Sequence, residues 1–256
     1  MKGIKHIIPA LSAVLLAVIL LAGCSESDWD KITVSSDVKV AETQNHTLSE
    51  SEMRVLEYQC FNEAYSNLYY TCLYQSYGLS SLSSDDYVFP DIASYTGSPE
   101  SYVAAHIDSL DIEGMAYERA ETLLVYNESA DREGYHADAE RLAMVKENVP
   151  YINIDTLRNA AEHADKSLSA YIRFAIGNGV SESDVENVLD LYARCSLFAE
   201  NKAESLQEAV SAEEAEKYRE DNKSQFYYSE YVSCELPNED WVTEEVREKA
   251  AACKTF

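Results

Sequence analysis

The clearest pattern in the chain is a four-residue recurrence of small and apolar side chains between Thr47 and Tyr77. Leu56, Cys60, Ala64, Leu68 and Cys72 repeat at helical spacing, with Phe61, Tyr65, Tyr69 and Leu73 in a row beside them, which predicts a long helix with a wide apolar face. Ser49 and Glu52 make a capping-box pair at its start, and Gly78 is placed to end it. Ser98-Pro99-Glu100 opens a second long helix, with Val103, Ile107, Leu110, Gly114 and Tyr117 on one face, running to Glu133 before Gly134. Further helical spans open near Asp138, resume after Pro150 to about Asp165, cover Ser167 to Ala175, restart at Ser181-Glu182-Ser183-Asp184, and follow Ser211 toward Asn222. Residues 79–97 carry no helical period and read as a loop. Val38-Lys39-Val40 and the segment Phe226 to Leu236 alternate as strands do. An unpaired strand leaves backbone groups without partners. The two are therefore expected to pair, joining the ends of a mainly α domain.

The N-terminus follows a different logic. Lys2 and Lys5 precede a nearly unbroken apolar run from Ile7 to Leu21, and Leu21-Ala22-Gly23-Cys24 leads at once into Ser25-Glu26-Ser27-Asp28. That run is short for a bilayer span and ends in small residues, as an export signal does. The domain map predicted from sequence is a signal over 1–23, a linker over 24–36, a helical domain over 37–236 and a tail over 237–256, with Thr243 to Lys254 as a terminal helix.

Charge and composition narrow the partners. Against 46 acidic side chains there are 20 basic ones, giving a net charge of −26 over 256 residues. No stretch supplies the basic footprint a nucleic acid needs, and electrostatic docking to anionic lipid is disfavoured. Apolar residues at 46% place the chain among folded proteins. Eight glycines are few for a β-sandwich or a nucleotide-binding α/β fold.

Little of the sequence carries chemistry. His46, His106, His136 and His163 lack zinc spacing to one another or to cysteine. No nucleophile elbow, Walker loop or Ca²⁺ loop occurs. No cofactor, metal or catalytic residue is expected. Cys60, Cys72, Cys195, Cys234 and Cys253 read as small core residues, since Cys60 and Cys72 lie about 18 Å apart along one helix. The unusual feature is tyrosine, 19 in all. Tyr58, Tyr65, Tyr69, Tyr70, Tyr74 and Tyr77 crowd the first helix, and Tyr227, Tyr228 and Tyr231 the last strand. They serve packing, or they line a groove of rigid amphipathic rings that grips extended polypeptides without sequence preference. Of these, Tyr58, Tyr70, Tyr74 and Tyr77 are the peptide-binding candidates, with Tyr70 and Tyr77 farthest off the packed row.

Leu-Ala-Gly-Cys24 resembles the lipobox of bacterial lipoproteins, which implies a diacylglycerol on Cys24, cleavage before it, and a protein held on the extracytoplasmic face of the cell membrane. The order of the later pieces resembles the helical N-terminal chaperone domain of the extracytoplasmic SurA/PrsA-type foldases. Val38 through Glu52 is similar to that family's opening strand, polar turn and capped helix, with Asn45-His46 where the family often has Asn-Gly. Tyr171 through Val180 (YIRFAIGNGV) is similar to its Tyr-hydrophobic-x-x-x-x-Gly-x-Gly-Val element, and Glu213 through Tyr231 looks like the helix that leads into its exit strand. The family's parvulin isomerase segments, Ser-His-Ile-Leu and Gly-Asp-Leu-Gly, are not found. The resemblance implies a lipid-anchored chaperone-like protein that binds unfolded exported polypeptides, without isomerase activity of its own. The alternatives are a surface lipoprotein with a structural or ligand-binding role on the same fold, and an enzyme with a carboxylate site.

Overall fold

A computed structural model describes residues 32–78, 89 and 91–221. Among them the chain is mainly helical, with one short antiparallel strand pair. The strands are β1, Lys39–Glu42, and β2, Thr47–Ser49. Eight α-helices follow: α1 Glu50–Ser76, α2 Pro99–His106, α3 Ile112–Arg132, α4 Ala139–Asn148, α5 Ile154–His163, α6 Leu168–Ala175, α7 Glu182–Ala209 and α8 Ala212–Asp221. The chain divides into two compact units, Met1–Glu204 and Ser205–Phe256, where the sequence predicts one domain to 236.

The first strand has a neighbour that the sequence did not point to. The partner of β1 among the described residues is β2, in register Lys39 with Ser49, Ala41 with Leu48 and Glu42 with Thr47. Phe226 to Leu236, the expected partner, lies outside the described residues. Thr47 and Leu48, assigned from sequence to the long helix, are ladder residues. Leu48 is fully buried and joins the core. The helix itself begins where its capping box says. The Ser49 hydroxyl accepts from the Glu52 amide at 3.3 Å, and the Glu52 carboxylate accepts from the Ser49 amide at 2.7 Å.

The second predicted helix is two. It breaks at a 3₁₀ turn over Ile107–Ser109, and the Asp111 side chain then caps α3 by accepting from the Gly114 amide at 2.9 Å. The run Asp108-Ser109-Leu110-Asp111 holds residues whose short polar side chains compete for backbone groups. Gly134 stands just past α3 at φ +66°, the conformation that ends a helix. Capping side chains from Asp138, Asn153 and Ser167 open α4, α5 and α6.

In the first unit α1 threads two apolar clusters. One gathers Leu48, Val55, Leu56, Leu123, Leu157, Ile172, Ile176 and Leu189. The other gathers Tyr65, Leu68, Cys72, Tyr102 and Val103. Each fully buried Leu, Ile or Val contributes about 1.5–3 kcal/mol. Buried residues occur all around the first half of α1, its polar ones included, as expected of a helix wrapped on every side. Those polar groups reach across: Arg54 Nε donates to the Ile176 carbonyl at 2.9 Å, and the Tyr192 hydroxyl donates to Gln59 at 2.5 Å.

Residues 32–34 fall within the span read as linker, yet they belong to the packed unit. The Val34 amide donates to the Asn178 carbonyl at 2.9 Å, and the Asn178 amide donates to the Ile32 carbonyl at 3.0 Å. Val34 is 9% exposed and joins the core. In the second unit the described residues are the end of α7 and α8. A reciprocal Ser211–Glu214 box starts α8, as its sequence suggests.

Candidate functional site

The tyrosines of α1 separate into two groups. Tyr58 is a core residue, 6% exposed, and its hydroxyl pairs with that of the buried Tyr171. Burial, then Tyr171, pushes its pKa well up. Tyr58 is therefore removed from the peptide-binding candidates, because it sits where α1 is enclosed on all sides. Tyr70 and Tyr74 lie on the last two turns, and Tyr77 is the residue that caps the helix C-terminus. Tyr70 and Tyr74 are half-buried and stack with ring centroids 5.8 Å apart; Tyr69 meets Tyr70 edge-on at 5.6 Å. Tyr77 is 72% exposed.

The neighbourhood of these rings is built by the Pro150 break. Tyr151, at φ +67°, hydrogen-bonds Ser66, one turn before Tyr70. Beside that break a groove of about 400 Å³ runs between α4 and α7, lined by Met144, Val145, Val149, Pro150 and Tyr192. No residue of α4 is buried. Ion pairs hold this helix instead, Arg141 with Glu200 at 2.7 Å and Lys146 with Glu186 and Asp190. Burial pushes the Cys195 thiol, one residue from the groove's Ser196, up to about 11.

A second feature lies at the other end of α1, roughly 30 Å away along the axis. There the N-termini of α1 and α7 meet, and their capping boxes interlock. The Ser51 hydroxyl of α1 donates to Asp184 of α7 at 2.8 Å, and Asn187 of α7 donates to Glu52 of α1 at 2.9 Å. Asp184 also accepts from the Ser181 amide and hydroxyl, at 2.7 and 2.6 Å. Glu52 and Asp184 are 9% and 5% exposed. Both carboxylates are thus surrounded by donors, which is how a buried charge is tolerated. A cleft of about 540 Å³ opens beside this network, bounded by β1, β2, α3 and α7.

The hairpin turn closes that cleft on one side. Asn45 donates from its amide and its side chain to Glu128 at 3.0 and 2.9 Å, and His46 Nε2 lies 2.8 Å from Asp131. Asp131 also accepts from Arg194 of α7. That hydrogen bond, and then His46, hold the Asp131 carboxyl below its ordinary range. A lowered folded-state value means the contribution is present above about pH 3.9 and is lost as pH falls through the lowered value. Asp131→Asn is therefore expected to cost about 0.5–1 kcal/mol at neutral pH and to flatten the acid limb of stability. Urea unfolding from about pH 6 down to pH 3 measures this, and an unchanged acid limb refutes it.

Cys24 and Tyr227, Tyr228 and Tyr231 lie outside the described residues. Among the described residues no helix is long and apolar enough to cross a membrane, no group of three His, Cys, Asp or Glu is placed to hold a metal ion, and Cys60, Cys72 and Cys195 are free thiols. The Ser51–Asp184 and Asn187–Glu52 links were missed from sequence. Their only signal was two capping boxes of the same form, Ser49-x-x-Glu52 and Ser181-x-x-Asp184. No family model, no curated protein and no solved structure matches this chain.

Proposed function

We propose that this is a lipid-anchored extracytoplasmic protein that binds unfolded exported polypeptides, in the manner of the SurA/PrsA-type chaperone domain. The observation that carries the reading is the tyrosine face of α1, where Tyr70 and Tyr74 stack half-exposed and Tyr77 stands open. Rings fixed by stacking present apolar area at little entropic cost and keep a polar edge for backbone groups of any sequence. Met144, 57% exposed on the α4 groove, adds an adaptable contact. The membrane partner follows from Leu21-Ala22-Gly23-Cys24, because acyl chains stabilise attachment by about 0.8 kcal/mol per buried CH₂.

The test is aggregation of reduced, unfolded α-lactalbumin in the presence of the full chain. Tyr77→Ala is expected to change stability by no more than about 0.5 kcal/mol. Combined with Tyr70→Ala it should weaken suppression of aggregation about fivefold or more. Unchanged suppression at unchanged stability would instead favour a ligand-binding lipoprotein, the reading supported by the polar cleft beside the interlocked caps.

A further inference from the structure

From Val55 to Glu118 the chain holds no lysine and no arginine, although 20 are spread over its 256 residues. The same 64 residues carry ten of the 19 tyrosines and ten carboxylates. A helix is ordinarily favoured by cations in its last turn, which offset the carbonyl end of its dipole. The last turn of α1 has none. That turn is where the tyrosine face ends.

The rings there form one continuous surface. Tyr74 stacks on Tyr70, and Tyr69 meets Tyr70 edge-on. Burial, and then the neighbouring Tyr74 and Tyr151, push the Tyr70 hydroxyl up; burial, and then Glu100, do the same to Tyr69, with Tyr77 also close by. The Tyr69 hydroxyl donates to Glu100 of α2. Glu63, beside Tyr151, is held by Arg119 at 2.8 Å, but Glu100 is in no ion pair among the described residues. Phe174 and Phe198 show what the chain does where it has a cation to spare: Lys166 stands over the first ring at 5.0 Å and Lys202 over the second at 5.5 Å. Among the described residues no cation covers Tyr69, Tyr70, Tyr74 or Tyr77.

Electron-rich faces of half-exposed rings, a carboxylate beside them and the negative end of a long helix all favour the same guest. We infer that the tyrosine face selects cationic segments, taking arginine and lysine side chains of an unfolded polypeptide over Tyr70, Tyr74 and Tyr77 with Glu100 as the counter-charge. Tyr70 to Tyr77 covers about 10 Å along the helix axis, the reach of about three residues of extended chain. An open row of that length suits successive side chains rather than one enclosed ammonium. This selectivity rests on the polypeptide-binding reading above and names the class of segment that the site takes.

The experiment measures binding of disordered, fluorescently labelled peptides to the full chain by anisotropy. Ionic strength is set to about 0.15 M, where the field of the net charge is screened within about 8 Å. The peptides share a glycine, serine and leucine background and carry arginine, citrulline or glutamate at the same positions. Citrulline keeps the shape of arginine without its charge. The arginine peptide is expected to bind about tenfold or more tighter than the citrulline peptide, and the glutamate peptide no better than citrulline. Tyr70→Leu with Tyr77→Leu, which keeps apolar area and removes the ring faces, should bring arginine and citrulline within about twofold of each other. Where that pair fails to fold, the exposed Tyr77→Leu alone decides, with the preference cut about threefold. Equal binding of the arginine and citrulline peptides leaves polypeptide binding intact and overturns the selectivity. An arginine preference that survives the tyrosine changes also overturns it, because the preference then belongs to the net charge of the whole chain. Free arginine competing as well as the arginine peptide makes a single small cation the guest, with the same consequence. No binding of any peptide overturns the selectivity and the polypeptide-binding reading together.

Discussion

Gly179→Ala is expected to destabilise the first unit by about 2–4 kcal/mol, the sum of backbone strain and lost packing. Gly179 has φ +101°, and a Cβ built there would lie 2.0 Å from the carbonyl oxygen of Val34. That contact is with backbone, so no side-chain rotation relieves it. Residues 32–34 would have to leave, taking with them the two hydrogen bonds to Asn178 and the burial of Val34. Urea unfolding measures the loss, and hydrogen exchange at the Val34 amide locates it. A cost below about 0.5 kcal/mol with Val34 still protected would show that the loop accommodates a side chain.

Asp184→Ala carries the other large expected effect, again about 2–4 kcal/mol. It removes the acceptor for the part-buried Ser181 amide and hydroxyl and for the fully buried Ser51 hydroxyl. If its carboxylate only capped α7, the loss would stay near 1 kcal/mol. The cross-link to α1 is what raises it. A double-mutant cycle with Ser51→Ala isolates that share, and a coupling above about 0.5 kcal/mol is expected. Strict additivity would mean that the two caps act independently.

How far the fold was legible follows from the range of each interaction. Ser49, Ser98, Ser167 and Ser181 announce helix starts because capping acts within three or four residues, and the structure begins helices at or beside all four. Apolar spacing located the α1 row for the same reason. Thr47–Ser49 was hidden because three residues are too few to show a period of two, and the helical row behind them is strong. The break at Ile107–Ser109 was hidden because Ile107 and Leu110 keep helical spacing across it; both pack on the second cluster from outside a regular helix. The tyrosines were legible as a group but not one by one. Tyr58 and Tyr70 differ in surroundings supplied by α6 and the Pro150 break, and neither is near them in sequence.

The bridge between residues 32–34 and the Asn178 loop sets an order of events. Thr33 and Asn178 are 145 residues apart, and Ser51 and Asp184 are 133 apart. A chain that emerges N-terminus first, from a ribosome or an export channel, presents β1, β2 and α1 long before their partners exist. During that interval the polar start of α1 and the apolar row behind it stay open to whatever else is present. Closing loops of that length adds only modest entropy, about 0.6 kcal/mol for each doubling, so the delay is one of arrival rather than of stability. The unit is finished late and from both ends at once. A ribosome-stalled or translocation-arrested chain halted before residue 178 is left with a long helix that has no α7 to cross.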